Sequence, residues 1–240
     1  MQGRLGLSVL LALVSFMNYT DRMVLPAVSQ SIKQEFALSD TTLGLLNGFV
    51  FVAMYAFSSL PLSRLADRTS RSAVLAGALA FWSLATAACG MIRTFGELVV
   101  ARACVGIGES VAQPVGYALV SEQFPVAERH RAMSWFLLGN NLGITAGFAI
   151  GGWLGAHYGW RAAFFAVGLP GVLLALALAR YRTPPGTRPA VELTQLGLLD
   201  SFRLVLRNPT YRSLVLLSGV YSMTIFGPVS FLASFLVRSH

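Results

Sequence analysis

Asp21 and Arg22 place an acid beside a base within an apolar run that extends from Leu5 to about Ser29. If this run is one helix, Asp21 lies about 24 Å from its start at 1.5 Å per residue, inside a hydrocarbon core about 30 Å thick. Ionisable side chains at that depth cost about 2.5 kcal/mol or more and usually serve a function. We therefore predict a buried charged site that includes the neighbouring Asn18 and Tyr19. The alternative is a helix that ends at the lipid headgroups.

A second apolar run, Leu98–Ser121, contains Arg102 and Glu109. Spacings of four and seven residues bring Arg102, Gly106 and Glu109 to one helix face, and Gly106 and Gly108 are expected to leave room beside the acid. Desolvation drives a buried carboxyl toward its neutral form, whereas a nearby arginine favours the charged form. An acid under these opposed effects can load and release protons. We predict this role for both buried acids, with both arginines as charge partners; the alternative is that the charges only brace the helices.

Composition assigns the chain to the membrane, because 55% of its residues are hydrophobic and 12% are charged, against about 25% charged in typical soluble domains. Seven runs are long enough to span a bilayer or nearly so. Besides the two charged runs they are Thr41–Ser63, Ser72–Ile92, Ala132–Ala156, Ala162–Ala179 and Ser213–Val237. The sequence shows no nucleophile–base arrangement, phosphate-binding loop or metal-ligand cluster. We therefore expect an all-α membrane protein that is not an enzyme and needs no metal or cofactor.

The net charge of +8 comes from arginines in alternate loops, which argues against a nucleic-acid partner. With the N-terminus inside, twelve arginines fall in the inner loops: Arg4, Arg64, Arg68, Arg71, Arg129, Arg131, Arg180, Arg182, Arg188, Arg203, Arg207 and Arg212. Four cations fall in the outer loops: Lys33, Arg93, Arg161 and Arg238. Because Lys and Arg are retained in the cytoplasm, we predict a multi-pass protein of the cell membrane with a cytoplasmic N-terminus. In a bacterium this is the inner membrane.

The chain divides into three predicted parts. Residues 1–180 hold six spans, residues 181–211 form a cytoplasmic linker, and residues 212–240 hold a seventh span. Apolar residues recur at helical spacing between Leu193 and Leu206, which predicts an amphipathic helix on the inner membrane face. A connector helix packed on the inner ends of the bundle is the alternative.

Glycine and proline mark two further features. Glycines recur every four residues from Gly139 to Gly151 in the fifth span, which predicts a face for close helix packing; a hinge is the alternative. Gly227 and Pro228 should kink the seventh span, and Tyr221 nearby could face a substrate. The odd number of spans suggests that the chain is a fragment that lacks most of a second half.

The loop after the second span reads Ser63-Arg64-Leu65-Ala66-Asp67-Arg68-Thr69-Ser70-Arg71. It resembles the signature of the major facilitator superfamily between helices two and three, Gly-x-x-x-Asp-Arg-x-Gly-Arg, with serine in place of both glycines. Asp67 in such a loop can pair with helix ends and with arginines across the bundle. We assign a conformational latch to four residues: Asp67, Arg68, Arg71 and Arg129.

Further motifs resemble the Spinster-type transporters of that superfamily. They are Asn18-Tyr19-x-Asp21-Arg22, Arg102-x-x-x-Gly106-x-Gly108-Glu109, Phe124-Pro125-x-x-x-Arg129-x-Arg131, and Gly151-Gly152-Trp153 to Gly159-Trp160-Arg161-Ala162-Ala163-Phe164-Phe165. The resemblance covers residues 1–180. It implies the major facilitator fold, with a six-helix N-terminal bundle, the first helix of the C-terminal bundle and the rest of that bundle missing.

The same resemblance implies a proton-coupled secondary active transporter for lysophospholipids or sphingolipid-like amphiphiles, within membrane lipid. Asp21 and Glu109 match the acids linked to proton coupling in that family. The candidate substrate and charge partners are Arg22, Arg102, Asn18, Tyr19 and Tyr221. The alternative substrate is another small amphiphilic or drug-like molecule carried by the same fold.

Two other classes of membrane protein compete with a transporter. A seven-helix receptor would have the opposite orientation to the one that the loop charges predict. A structural scaffold would not need acids and arginines within two apolar runs. A transporter is therefore the favoured function.

Overall fold

The computed structural model describes residues 2–181, 200, 203, 206–222 and 224. Its contacts divide the chain into two units, Met1–Gly186 and Thr187–His240. In the second unit, residues 209–222 are helical. The amphipathic helix predicted from Leu193 to Leu206 lies largely outside the described residues, and the kink predicted at Gly227 and Pro228 lies wholly outside them.

Eight α-helices and one π-helical segment make up the described part of the first unit. They are α1 (Gln2–Glu35), α2 (Asp40–Gly44), the π-helical segment (Leu45–Val50), α3 (Phe51–Arg68), α4 (Arg71–Cys89), α5 (Phe95–Glu109), α6 (Ala112–Gln123), α7 (Val126–Tyr158) and α8 (Trp160–Arg180). The chain from α2 to α3 forms one span, and α5 with α6 forms another. The first unit is therefore a six-helix bundle, as predicted.

Four helical stretches of the described chain are both long and apolar enough to cross a membrane: Asp40–Arg68, Arg71–Cys89, Phe95–Gln123 and Trp160–Arg180. Helices α1 and α7 are longer, at 34 and 33 residues. Their central segments are more polar, because α1 contains Asn18, Asp21 and Arg22 and α7 contains Asn140 and Asn141. Polarity within a long buried helix points to contacts inside the bundle.

Helices α1 and α7 form the most extensive helix pair. A Cβ atom on Gly139 would collide with the carbonyl of Ala12, and one on Gly147 would lie 2.7 Å from the carbonyl oxygen of Thr20. Contacts that advance together along both helices show that the two run parallel. Ser15 adds a polar contact by donating its hydroxyl to the side-chain oxygen of Asn140. The packing role predicted for the glycine repeat is confirmed.

A polar layer separates two apolar clusters inside the bundle. Three members of the first cluster are Val14, Trp82 and Val105. Three members of the second are Val24, Cys89 and Ala101. Between these positions α1, α4 and α5 carry buried polar side chains, among them Asp21, Thr86 and Arg102. The bundle therefore holds its charges in a narrow band with apolar packing on both sides.

Candidate functional site

An ion pair joins α1 to α5 within this polar layer. Nε of Arg22 donates to Oε2 of Glu109 at 2.6 Å. The Glu109 side chain is fully buried and the Arg22 side chain is 17% exposed. The pair has a single contact, because Nη2 of Arg22 and Oε1 of Glu109 have no hydrogen-bond partner among the described residues. The amide of Asn18 lies beside Glu109, so a second polar group is available to the carboxylate.

Three aromatic rings surround the guanidinium of Arg22. Its Cζ atom lies 5.2 Å from the ring centroid of Tyr19 and 5.0 Å from those of Phe51 and Tyr55. Tyr19 is itself fixed, because its hydroxyl accepts a hydrogen bond from Nε2 of Gln113 at 2.7 Å. A cation at this distance from an aromatic face is attracted by the ring quadrupole. The rings therefore hold Arg22 in place from α1 and α3.

Asp21 lies in a different environment from its neighbour in the sequence. It is fully buried, and the charges of Arg102 and Glu109 and the polar groups of Trp82 and Thr86 face it. No hydrogen bond of ordinary geometry joins it to these groups or to the rest of the described chain. Successive helical residues point about 100° apart at 3.6 residues per turn. Arg22 can therefore reach α5 while Asp21 faces α4.

Arg102 completes the site from α5. It is 2% exposed, and its Nε and Nη1 atoms have no hydrogen-bond partner among the described residues. Its Cζ atom lies 5.3 Å from the ring centroid of Phe51. The structure thus brings together two acids and two arginines, with one close ion pair between them.

Prolines interrupt helical hydrogen bonding one turn after each member of the ion pair. Pro114 has no N–H to donate to the carbonyl of Ser110, and the fourth span is broken at Ser110 and Val111, directly after Glu109. Pro26 lies within α1 and cannot donate to the carbonyl of Arg22. The fourth span is therefore two shorter helices rather than the single predicted helix.

The room expected beside Glu109 is absent, and that prediction was wrong. A Cβ atom on Gly106 would lie 2.7 Å from the carbonyl oxygen of Phe51, and one on Gly108 would lie 2.7 Å from Cβ of Trp82. These glycines instead let α5 approach α3 and α4 closely. The site is consequently packed by backbone on two sides.

The loop between α3 and α4 is tied to α6. Arg71 donates to Oδ1 of Asp67 from Nη2 at 2.7 Å and from Nε at 3.2 Å, and its Nη1 lies 2.5 Å from Oε1 of Glu122. Ser70 has a φ of −101° and its hydroxyl accepts the N–H of Ala73, so this serine caps α4 without needing glycine geometry. The link from the loop to another helix runs through Arg71 and Glu122.

The other two predicted latch residues have different surroundings. Arg129 donates to the carbonyl oxygens of Ser121 at 2.7 Å and Phe124 at 3.1 Å, where α6 ends. Arg68 is exposed. Arg129 therefore caps a helix next to the Arg71–Glu122 contact.

A second polar cluster joins the end of α1 to the start of α8. Arg161 donates to both carboxylate oxygens of Glu35, at 2.6 and 2.9 Å, and Nε1 of Trp160 donates to Oε2 at 2.7 Å. Arg161 also donates to the carbonyl of Ile92 at 3.1 Å. The hydrogen bonds from Arg161 and Trp160 lower the pKa of Glu35. This cluster fastens three parts of the bundle at one end.

Comparison with known proteins identifies the family. A family profile described as Major Facilitator Superfamily matches residues 11–240. The chain belongs to the major facilitator superfamily. It is 32% identical to an MFS-type efflux pump of Mycolicibacterium smegmatis, over 95% of this chain and 53% of that protein. It is 31% identical to human protein spinster homolog 1, over 87% of this chain and 41% of that protein.

One solved structure matches the whole chain. It is the crystal structure of a bacterial homolog to the human lysosomal transporter Spinster, in an inward-facing and occupied conformation, with a TM-score of 0.84 and 29% identity. The match covers 100% of this chain and 55% of that chain, and the chain spans about half the length of the curated relatives that it matches. The predicted superfamily, Spinster likeness and fold are confirmed, and the chain is a multi-pass membrane protein of a transporter family.

The structure brings six of the predicted residues of this superfamily chain into one site: Asn18, Tyr19, Asp21, Arg22, Arg102 and Glu109. Tyr221 lies in the second unit and is 63% exposed. Sequence reasoning missed several neighbours of the charges: Phe51, Tyr55, Trp82, Thr86, Gln113 and Glu122. Phe51 and Tyr55 lie one turn apart in an apolar run, and this spacing was the sequence feature that could have identified them. Many lipid-facing aromatic residues show the same spacing, so it did not distinguish these two.

Proposed function

We propose that this protein is a proton-coupled secondary active transporter that works by alternating access. The observation that carries the proposal is the ion pair between Arg22 and the fully buried Glu109, next to a second buried acid, Asp21. Charged groups within the apolar interior of a membrane bundle commonly mark ion and substrate pathways. Membership of a transporter superfamily supports the same function.

Proton binding changes which groups hold the arginines. With Glu109 ionised, its carboxylate occupies Nε of Arg22 and braces α1 against α5. A proton on Glu109 removes the negative charge, so Arg22 is released to bind an anionic headgroup or to let the helices rearrange. Asp21 and Arg102 face each other in the same polar layer and work in the same way.

We propose lysophospholipids or sphingolipid-like amphiphiles as substrates. Molecules of this class have an anionic headgroup, which an arginine can bind, and an acyl chain, which the apolar residues around the site can contact. The likeness to Spinster-type transporters supports this choice. Tyr221 is proposed as a further substrate contact from the seventh span.

The proposal extends to the domains, the orientation in the membrane and the loop between α3 and α4. Residues 1–180 form the N-terminal bundle, residues 181–211 a cytoplasmic linker and residues 212–240 the start of a C-terminal bundle, and the rest of that bundle is the proposed partner of this chain. The N-terminus faces the cytoplasm, and the protein lies in the cell membrane. The loop residues Asp67, Arg68 and Arg71, with Arg129, form the latch between two conformations.

A second candidate is an exporter of another small amphiphilic or drug-like molecule. The specific observation in its favour is the 32% identity to a protein described as an MFS-type efflux pump. The same buried acids and arginines serve either substrate class, so substrate competition separates the two candidates.

Transport by the complete gene product that contains this chain, in lipid vesicles under an imposed pH gradient, tests the proposal. Lysolipids are compared with organic cations and organic acids as substrates. We expect Asp21→Asn and Glu109→Gln to fold and to retain some substrate binding, but to lose uptake driven by the pH gradient. Glu128→Gln is the matched control, because Glu128 is 52% exposed in a loose pair with Arg4. Normal gradient-driven uptake by both buried-acid variants would show that the acids are braces.

A further inference from the structure

One aromatic ring contacts both buried arginines. The centroid of the Phe51 ring lies 5.0 Å from Cζ of Arg22 and 5.3 Å from Cζ of Arg102. Phe51 is 7% exposed, so these contacts are largely shielded from water. Among the described residues, Phe51 is the only aromatic residue whose ring lies within cation–π distance of both arginines.

The structure fixes the position of this ring through its backbone. Phe51 is the first residue of α3, directly after the π-helical segment Leu45–Val50. Its carbonyl oxygen lies against Gly106 of α5, where a Cβ atom would be 2.7 Å away. Its ring packs against that of Tyr55 at a centroid distance of 5.9 Å. π-Helical turns are often found at functional sites, and this one sets where the ring lies relative to the charges.

The two arginines interact with the acids in different ways. Arg22 donates to Glu109, whereas Arg102 is a charged neighbour of Asp21 and also of Glu109. Cys89 of α4 is a further titratable neighbour of Asp21 and Arg102. No direct hydrogen bond between Asp21 and Glu109 is present among the described residues. The charges of the two acids act on each other directly, and the arginines with the shared Phe51 ring offer a second route between them.

We propose that Phe51 is a positioning residue that couples the two acid–arginine pairs. The face of an aromatic ring attracts a cation, and two cations that share one ring repel each other. When Arg22 leaves Glu109 and moves from the ring, Arg102 loses that repulsion and binds the ring more strongly, which weakens its hold on Asp21. A charge change at one acid is thereby transmitted to the other in addition to the direct repulsion between the two carboxylates.

Thermal unfolding of the complete protein in detergent tests the coupling in double-mutant cycles. Phe51→Leu is combined with Arg22→Lys and, separately, with Arg102→Lys, because lysine keeps the charge but loses the planar guanidinium. We expect non-additive changes in melting temperature in both cycles. Phe57→Leu is the control on the same helix, since Phe57 is 77% exposed, and its cycles should be additive. Additive behaviour in either Phe51 cycle overturns the proposal. Phe51→Met replaces Phe51→Leu if the leucine variant does not fold.

The pH dependence of transport tests the functional part, which rests on the proposed function. We expect Phe51→Leu to move the pH midpoint of uptake by about half a unit, roughly a threefold change in proton affinity, and Phe51→Tyr to restore it. If the midpoint is unchanged in Phe51→Leu while Asp21→Asn and Glu109→Gln lose coupling to the pH gradient, the role of Phe51 is overturned and the proposed function stands. If those acid variants keep normal coupling, the proposed function fails, and the unfolding cycles still decide whether the ring couples the pairs.

Discussion

The guanidinium of Arg22 in α1 donates to the carboxylate of Glu109 in α5 at 2.6 Å, although the two residues are 87 positions apart in the chain. The carboxylate has no exposed surface, so solvent does little to screen the pair. Removing one partner from such a pair leaves an uncompensated buried charge.

Glu109→Leu should therefore lower the free energy of unfolding by about 3–5 kcal/mol. The double variant Arg22→Met with Glu109→Leu should lose clearly less, because neither charge remains buried. The matched control is Arg4→Met with Glu128→Gln, an exposed pair at 3.6 Å that should contribute about 1 kcal/mol or less. Denaturation in detergent measures all three, and equal losses in the single and double variants would contradict the prediction.

The glycine repeat of α7 gives a second prediction. A Cβ atom on Gly143 would collide with the carbonyl of Phe16, whereas one on Gly152 in the same helix would meet nothing within 4 Å. Gly143→Ala should destabilise the bundle by about 1–3 kcal/mol, the usual cost of overpacking. Gly152→Ala should be neutral or stabilising, because alanine is the better helix former. Similar melting temperatures for the two variants would refute close packing of α1 on α7.

The contact between the α3–α4 loop and α6 predicts a conformational effect. Arg71 ties the loop to α6 through its contacts with Asp67 and Glu122. Asp67→Asn weakens the first of these charge-assisted contacts and Glu122→Gln weakens the second. Each variant should shift the balance between inward-open and outward-open states by about 1–3 kcal/mol. Labelling of cysteines placed at the two ends of the bundle measures this balance, with Glu128→Gln as the control. An unchanged labelling ratio would leave the loop without a latch function.

The cluster at Glu35 predicts a defined pH dependence. Because hydrogen bonding lowers the pKa of Glu35 in the folded state, its stabilising contribution is present above the ordinary glutamate pKa and is lost as the pH falls through the lowered value. Glu35 is 40% exposed and Arg161 39%, so the contribution should be about 1 kcal/mol or less. Glu35→Gln should unfold more easily than the parent protein at neutral pH, and the difference should vanish in acid. A constant difference across this pH range would exclude the mechanism.

Sequence periodicity was sufficient to find the charged faces of α1 and α5, since residues three, four and seven apart return to one side of a helix. It could not pair Arg22 with Glu109, because the pairing depends on how each helix is rotated in the bundle. The ring of Phe51 was equally hidden, because its role depends on a π-helical segment that no residue pattern marked. The break after Glu109 was open to prediction from Pro114, whose missing N–H affects the carbonyl of Ser110.

Contact between the backbones of α1 and α7 through successive turns has a mechanical consequence. Two helices whose backbones touch at every fourth residue cannot slide past one another unless whole turns disengage, so we expect the pair to move as one rigid body. The fourth span is broken at Ser110 and Val111, so continuous helical hydrogen bonding does not hold α5 and α6 in one line. We expect a movement that separates Arg22 from Glu109 to displace α5 relative to the α1–α7 pair and to bend the fourth span at this break.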